Sequence, residues 1–208
     1  MCDKCPMNTQ RRTQQERREE TKRRLLDATI NSIIELGYTR LTTTEVCRAS
    51  GLSQGAIFKH FPTKFDLVAA AVVRLYEQLI EDYRIAVSDL PPGPEKIPKC
   101  LEALVELYET PRLLAVFDLH TAARTDPELH AVMQVVERPH RDNIHQLACE
   151  IFPELAQTPL FIGAIELLIA AVQGAAIDAL VLREPEKKAR LMIGLELIAR
   201  HFLEIVHE

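Results

Sequence analysis

The stretch ASGLSQGAIFKHF, Ala49 to Phe61, places Gly51 and Ser53 between two short apolar patterns and then opens a new segment on Gln54, Gly55 and Ala56. Gly51 falls where a helix C-cap belongs, Ser53 can cap the helix that follows, and Pro62 ends that helix because the residue before a proline is pushed out of helical geometry. Two short helices joined by such a turn make a helix-turn-helix, whose second helix can enter the major groove of DNA. Val46, Leu52, Ile57 and Phe61 are the inward-facing positions, which leaves Ser53, Gln54, Gly55, Ala56, Lys59 and His60 outward or at the helix start. The bare start has a physical use, since small side chains let the backbone approach the groove floor. Gln54 then suits an adenine edge, Ala56 a thymine methyl, and the N-terminal amides a phosphate. A helical hairpin that never meets nucleic acid has the same pattern, and at this point both readings stand.

Outward from this stretch almost every periodic segment is helical. Leu25, Thr29, Ile33 and Leu36 recur every three or four residues before Gly37, so a first helix is expected over Arg24 to Leu36. Thr42 with Glu45 and Thr63 with Asp66 have capping-box spacing and open a second helix and a long fourth one that runs toward Ser88. DLPPGPEKIP, Asp89 to Pro98, is a linker by its prolines and glycine. Four or five more helices are expected beyond it, at about 97–109, 112–124, 127–150 with room for a kink at Pro139, 160–183 and 185–206. The fold class predicted is all-α.

The chain has 208 residues, enough for a sizeable core, and a net charge of -5 that is unevenly shared. Residues 1–66 hold 12 Lys/Arg against 8 Asp/Glu, leaving 13 against 22 for the rest, so an anionic partner suits the front alone. The polar N-terminal stretch does not read as a signal peptide. The apolar run from Leu160 to Leu182 carries Glu166, Gln173 and Asp178, which favours a buried helix of a cytoplasmic protein over a membrane span. Five cysteines form no framework, and Cys2 and Cys5 lack the second pair that a metal site needs; Cys47 reads as a small hydrophobe. No metal or cofactor is expected. Nor is an enzyme: the seven histidines are scattered, and neither a nucleophile elbow nor a phosphate loop is present.

Over about residues 22–70 the sequence resembles the TetR family of transcriptional regulators. The resemblance is carried by Thr42, Val46-Cys47, SGLS at Ser50 to Ser53, Gly55, Phe58, His60-Phe61, Thr63-Lys64 and Asp66-Leu67. It implies a ligand-responsive regulator, a repressor in the usual family mechanism, which binds a palindromic double-stranded DNA operator as a homodimer and is released by a small-molecule effector. The DNA-binding set it implies is Arg24, Thr42, Thr43, Ser53, Gln54, Gly55, Ala56, Lys59, His60 and Lys64. Two positions depart from the family pattern. Phe58 stands where tyrosine is usual and Ala56 where many members have threonine, so two hydroxyl contacts are absent, each worth about 0.5–1.5 kcal/mol. The division expected is a flexible basic arm at 1–20, a helix-turn-helix domain at 21–66 and a ligand-binding and dimerisation domain at 67–208. In the arm, the arginines at 11/12 and 17/18 are read as a solvated tail, whereas Arg23 or Arg24 is expected on DNA.

In the body, Leu113, Phe117, His120 and Arg124 share one helical face that turns polar at one end, as a ligand cavity with an orienting group would. Glu166 and Gln173 likewise share a face; Tyr108 and Met133 complete the candidate ligand-binding set. A paired core polar group or an interface contact is the simpler reading of each. Ala171, Ala175 and Ala179 recur every fourth residue, which permits close helix approach; by the resemblance, the last two helices form the dimer bundle. The rival reading is a helical interaction or ligand-binding protein of the same fold without DNA binding.

Overall fold

The computed structural model describes residues 13–207. Its first helix, α1 (Gln14–Leu36), starts well before the apolar period does, because Thr13 and Glu16 form a reciprocal capping box: each side chain accepts the other residue's backbone N–H, at 3.2 and 2.7 Å. The first turns of α1 are exposed Gln, Glu and Arg, good helix formers that carry no apolar stripe to reveal them. Residues 14–20 are therefore helical and extend α1. Cys2, Cys5, Arg11 and Arg12 lie outside the described residues.

After a 3₁₀ turn at Tyr38–Arg40 come α2 (Thr43–Ser50), α3 (Gln54–His60) and α4 (Lys64–Val87), then a 3₁₀ turn at Pro94–Lys96. The body continues with α5 (Ile97–Tyr108), α6 (Pro111–Ala123), α7 (Pro127–Ile151), α8 (Phe161–Ala179) and α9 (Pro185–His207); no strand occurs among the described residues. The N-caps of α2 to α4 fall where expected, though the reciprocal capping box closes at Thr63 and Asp66 and not at Thr42, where the Glu45 carboxylate takes Arg48 instead. Thr42, Ser53 and Thr63 each accept a backbone N–H from three residues on, and Gly51 ends α2 at φ +66°. α7 runs through Pro139, whose ring removes one backbone donor. The helix persists because Leu129, Met133, Val136 and Leu147 bury its inner face.

Leu25, Val46, Ile57 and Leu67 are at most 1% exposed and tie α1 to α4 into one N-terminal unit. Farther along α4, Val72 and Leu75 enter a second packing zone with Leu119 of α6 and Leu129 of α7. Thus α4 belongs to both halves, and α7 is the helix it packs against most extensively. The expectation of a buried α8 is not met: of its side chains Phe161, Val172 and Ala176 are buried, while Leu167 is exposed. Within one chain the described residues of α8 pack mainly against α5, α7 and α9, and side chains such as Leu167 and Ile177 stay exposed. Ile193 and Leu197 of α9, 69% and 68% exposed, extend the same unpartnered apolar surface.

Candidate nucleic-acid interface and cavity

The N-termini of α2 and α3 meet at the surface. The Gln54 amide nitrogen lies 3.4 Å from the hydroxyls of both Thr43 and Thr44, so the start of the second helix is braced against the start of the first. Thr42, Ser53, Gln54, Gly55 and Lys59 are exposed, Thr43, Ala56 and His60 half-buried, and Ile57 pins α3 from beneath. A Cβ on Gly55 would meet only the Ser53 hydroxyl, at 3.8 Å. The packing of the protein itself therefore does not require glycine there. Two helix N-termini with free amides, a carboxamide and a nearby ammonium form a surface that can hold phosphates and read a base edge. Thr44 belongs to this patch although the sequence reading passed over it; its place one turn-start from Thr42 was the available signal.

Three expected contacts have other partners. Arg24 donates to the Ser50 carbonyl at 2.7 Å, clamping α1 to the end of α2. Arg23 is paired with Glu20 at 2.7 Å and reaches Asp27 at 3.7 Å. Neither guanidinium extends freely from the domain. Lys64 lies half-buried with its ammonium 4.9 Å from the centre of the Tyr38 ring, and burial holds its pKa below the usual lysine value. His60 also has a lowered pKa, through burial and then Arg18, so at neutral pH it can offer a hydrogen bond but little charge.

Tyr38 connects this unit to the body. Its backbone N–H donates to Asp118 of α6 at 2.5 Å, and its hydroxyl donates to Asp126 at 3.0 Å. Asp126 in turn caps α7 by accepting from the N–H groups of Glu128 and Leu129. Behind this junction Tyr76 of α4 donates to Glu137 of α7, and His120 of α6 meets the same carboxylate at 2.6 Å. The Tyr76 ring stacks on His140 with centroids 3.7 Å apart.

A cavity of about 410 Å³ lies in the body among α4 to α9, with Leu113 as the contribution of α6, within the range of small-molecule sites. Leu79, Leu104, Tyr108, His140, Leu147 and Leu168 represent its walls. Of the seven candidate ligand-binding residues, Tyr108 alone lines it. Phe117 supports Tyr108 from behind, with ring centroids 6.1 Å apart. His120 is engaged by Glu137, Arg124 caps α6 on the surface, and Met133 is core. Glu166 is exposed beside His145 at 3.3 Å, and Gln173 is half-buried on α8 away from the cavity. The shared polar face of α6 points at α7, and a helical wheel cannot say which neighbour a face meets. His140 is a lining residue that sequence reasoning missed, next to Pro139 on a helix whose other polar inward residue, Glu137, is taken up by Tyr76 and His120.

The family model for bacterial regulatory proteins of the tetR family matches residues 25–71. The chain is 35% identical over 180 residues to the uncharacterized HTH-type transcriptional regulator Rv2912c of Mycobacterium tuberculosis, covering 84% of this chain and 90% of that protein. It is 36% identical over 133 residues to the HTH-type transcriptional regulator CymR of Pseudomonas putida, covering 64% and 66%. A TetR transcription regulator from Haloarcula marismortui has the same fold, with a TM-score of 0.66 over 88% of this chain and 98% of that one at 20% identity. With its helix-turn-helix, its all-α body and these relatives, the chain belongs to the tetR family of DNA-binding transcriptional regulators.

Proposed function

We propose that this protein is a ligand-responsive regulator, acting as a repressor, that occupies a palindromic operator as a homodimer in the cytoplasm and leaves it when a small molecule enters the body. The observation that carries the reading is continuity: α4 begins at Lys64, four residues after the recognition helix ends, and lines the cavity with Leu79 and Tyr83. A ligand that favours one arrangement of α4 thereby biases the arrangement of the DNA-binding face. It acts only to the extent that it binds the off-operator state better. The uncovered apolar face of α8 and α9 supports a second copy as its occupant, and two recognition helices about one DNA turn apart suit a two-fold operator.

In the proposed complex Gln54 reads a base edge, Gly55 and Ala56 allow close approach, and Thr42, Thr43, Ser53, Lys59, His60 and Lys64 hold the backbone, with Thr44 added to them. Selection from a randomised duplex library followed by a salt titration tests this. Enrichment of a palindrome and a steep loss of affinity with salt are expected. Flat or undetectable duplex binding would instead favour an interaction protein that kept the fold without DNA.

A further inference from the structure

Resting on the reading of the body cavity as the effector site, we infer that its effector is an uncharged, largely apolar molecule carrying one hydrogen-bonding group, such as a hydroxyl, that pairs with His140. The described walls hold no charge: no Asp, Glu, Lys or Arg is among the described lining residues. The charges nearby already have partners. Lys96 sits behind the wall, donating to the Ile151 carbonyl with its ammonium 4.7 Å from the centre of the Phe152 ring. Glu137 is held by Tyr76 and His120. A bound carboxylate or ammonium would therefore lose its hydration with no counter-charge to replace it.

The polar groups in the wall are few, and two of them have limited capacity. The Tyr83 hydroxyl donates to the Cys100 carbonyl at 3.0 Å, and the Cys100 thiol is a weak donor whose ionisation burial opposes. His140 differs from both. Its Nδ1 is buried without any hydrogen-bond partner, an uncommon and unfavourable state for a ring nitrogen. The ring lines the cavity and is held flat on Tyr76, 10° from parallel, so its orientation is set in advance of any ligand. Burial keeps the imidazole neutral, and a hydroxyl can serve whichever tautomer is present, as donor or as acceptor. The Tyr108 hydroxyl shares the wall and remains un-ionised, its pKa pushed up to about 12 by burial.

The test uses the full-length protein loaded with the fluorescent apolar dye N-phenylnaphthylamine, displaced by four linear probes of equal reach: n-decanol, n-decanoate, n-decylammonium and n-undecane. Decanol is expected to displace dye at least ~10-fold more effectively than either ion. Its advantage over undecane is expected to shrink by about three- to tenfold in His140→Phe, which keeps the stacked ring but not the nitrogen. His140→Asn, which returns a polar atom near the Nδ1 position, is expected to restore it. Equal or better displacement by decanoate or decylammonium overturns the assignment, as does an unchanged alcohol preference in His140→Phe or a wild-type protein that takes up neither dye nor alcohol. Duplex binding measured on the same preparation separates the two readings. Steep salt-dependent DNA binding without alcohol uptake sinks the effector class alone, whereas the expected probe series without DNA binding sinks the regulator and leaves the cavity assignment standing.

Discussion

Gly55 is the residue at which internal packing and external recognition can be told apart. Since an added Cβ meets only the Ser53 hydroxyl at 3.8 Å, Gly55→Ala is expected to leave the fold intact and to raise its stability by ~0.5 kcal/mol, through the lower entropy of the unfolded chain. If the bare helix start exists to let DNA approach, the same variant loses duplex affinity. Thermal melts paired with gel shifts check this, and an affinity equal to wild type would remove the reason given for the glycine. Gln54 and Lys59 divide the labour differently. Gln54→Ala is expected to cost ~1–3 kcal/mol of discrimination at one base pair with little change on random DNA. Lys59→Ala is expected to weaken all sequences alike and to lower the salt slope by about 1. Competition titrations at several ionic strengths measure both. Lys64 is a poorer diagnostic, because its stacking on Tyr38 makes any substitution a change in stability as well as in affinity.

At the scale of elements, α4, α6 and α7 are joined by groups whose protonation matters. His140 on α7 faces Tyr76 of α4, Glu137 of its own helix and His120 of α6. Burial, the largest influence, lowers its pKa from 6.5 to about 4; Glu137 opposes the shift and His120 adds to it. The sign follows from proton uptake. Above pH 6.5 neither the folded nor the unfolded chain protonates this ring, and its neutral burial costs nothing in protons. As the pH falls from about 6.5 toward about 4, the unfolded chain binds a proton that the folded one refuses, so stability declines across that window. His140→Phe is therefore expected to flatten the dependence of melting temperature on pH between those limits. A profile parallel to wild type would mean that the ring is protonated in the folded protein or reaches solvent. Asp118 and Asp126 form another inter-element contact, holding Tyr38 by its backbone and its hydroxyl.

For the whole molecule the open question is what covers α8 and α9. An apolar surface that includes Leu180 at 53%, Val181 at 93%, Ile193 at 69% and Leu197 at 68% exposure is more than scattered surface residues require. With a second copy as its occupant, Ile193→Glu combined with Leu197→Glu, one turn apart on α9, places two carboxylates in the proposed interface. Sedimentation is expected to show a monomer, and operator affinity to fall by about 10²-fold or more as the linked second half-site is lost. A double variant that stays dimeric and binds normally would place the subunit contact elsewhere.

Local chemistry determined the elements and the recognition unit. Thr42, Gly51, Ser53 and Thr63 cap and terminate helices through bonds to residues three or four positions away, and such bonds are legible in a linear chain. The polar first turns of α1 escaped because a helix with no buried face leaves no apolar period. What depended on the tertiary structure was which faces meet: that Arg24 would close on Ser50, that the polar end of α6 would turn toward Glu137, and that His140 and not Phe117 or Arg124 would line the cavity. Periodicity gives each helix an inner side, but the partner of that side is set by how all the helices pack together, and contacts such as Tyr38 with Asp126 join residues far apart along the chain.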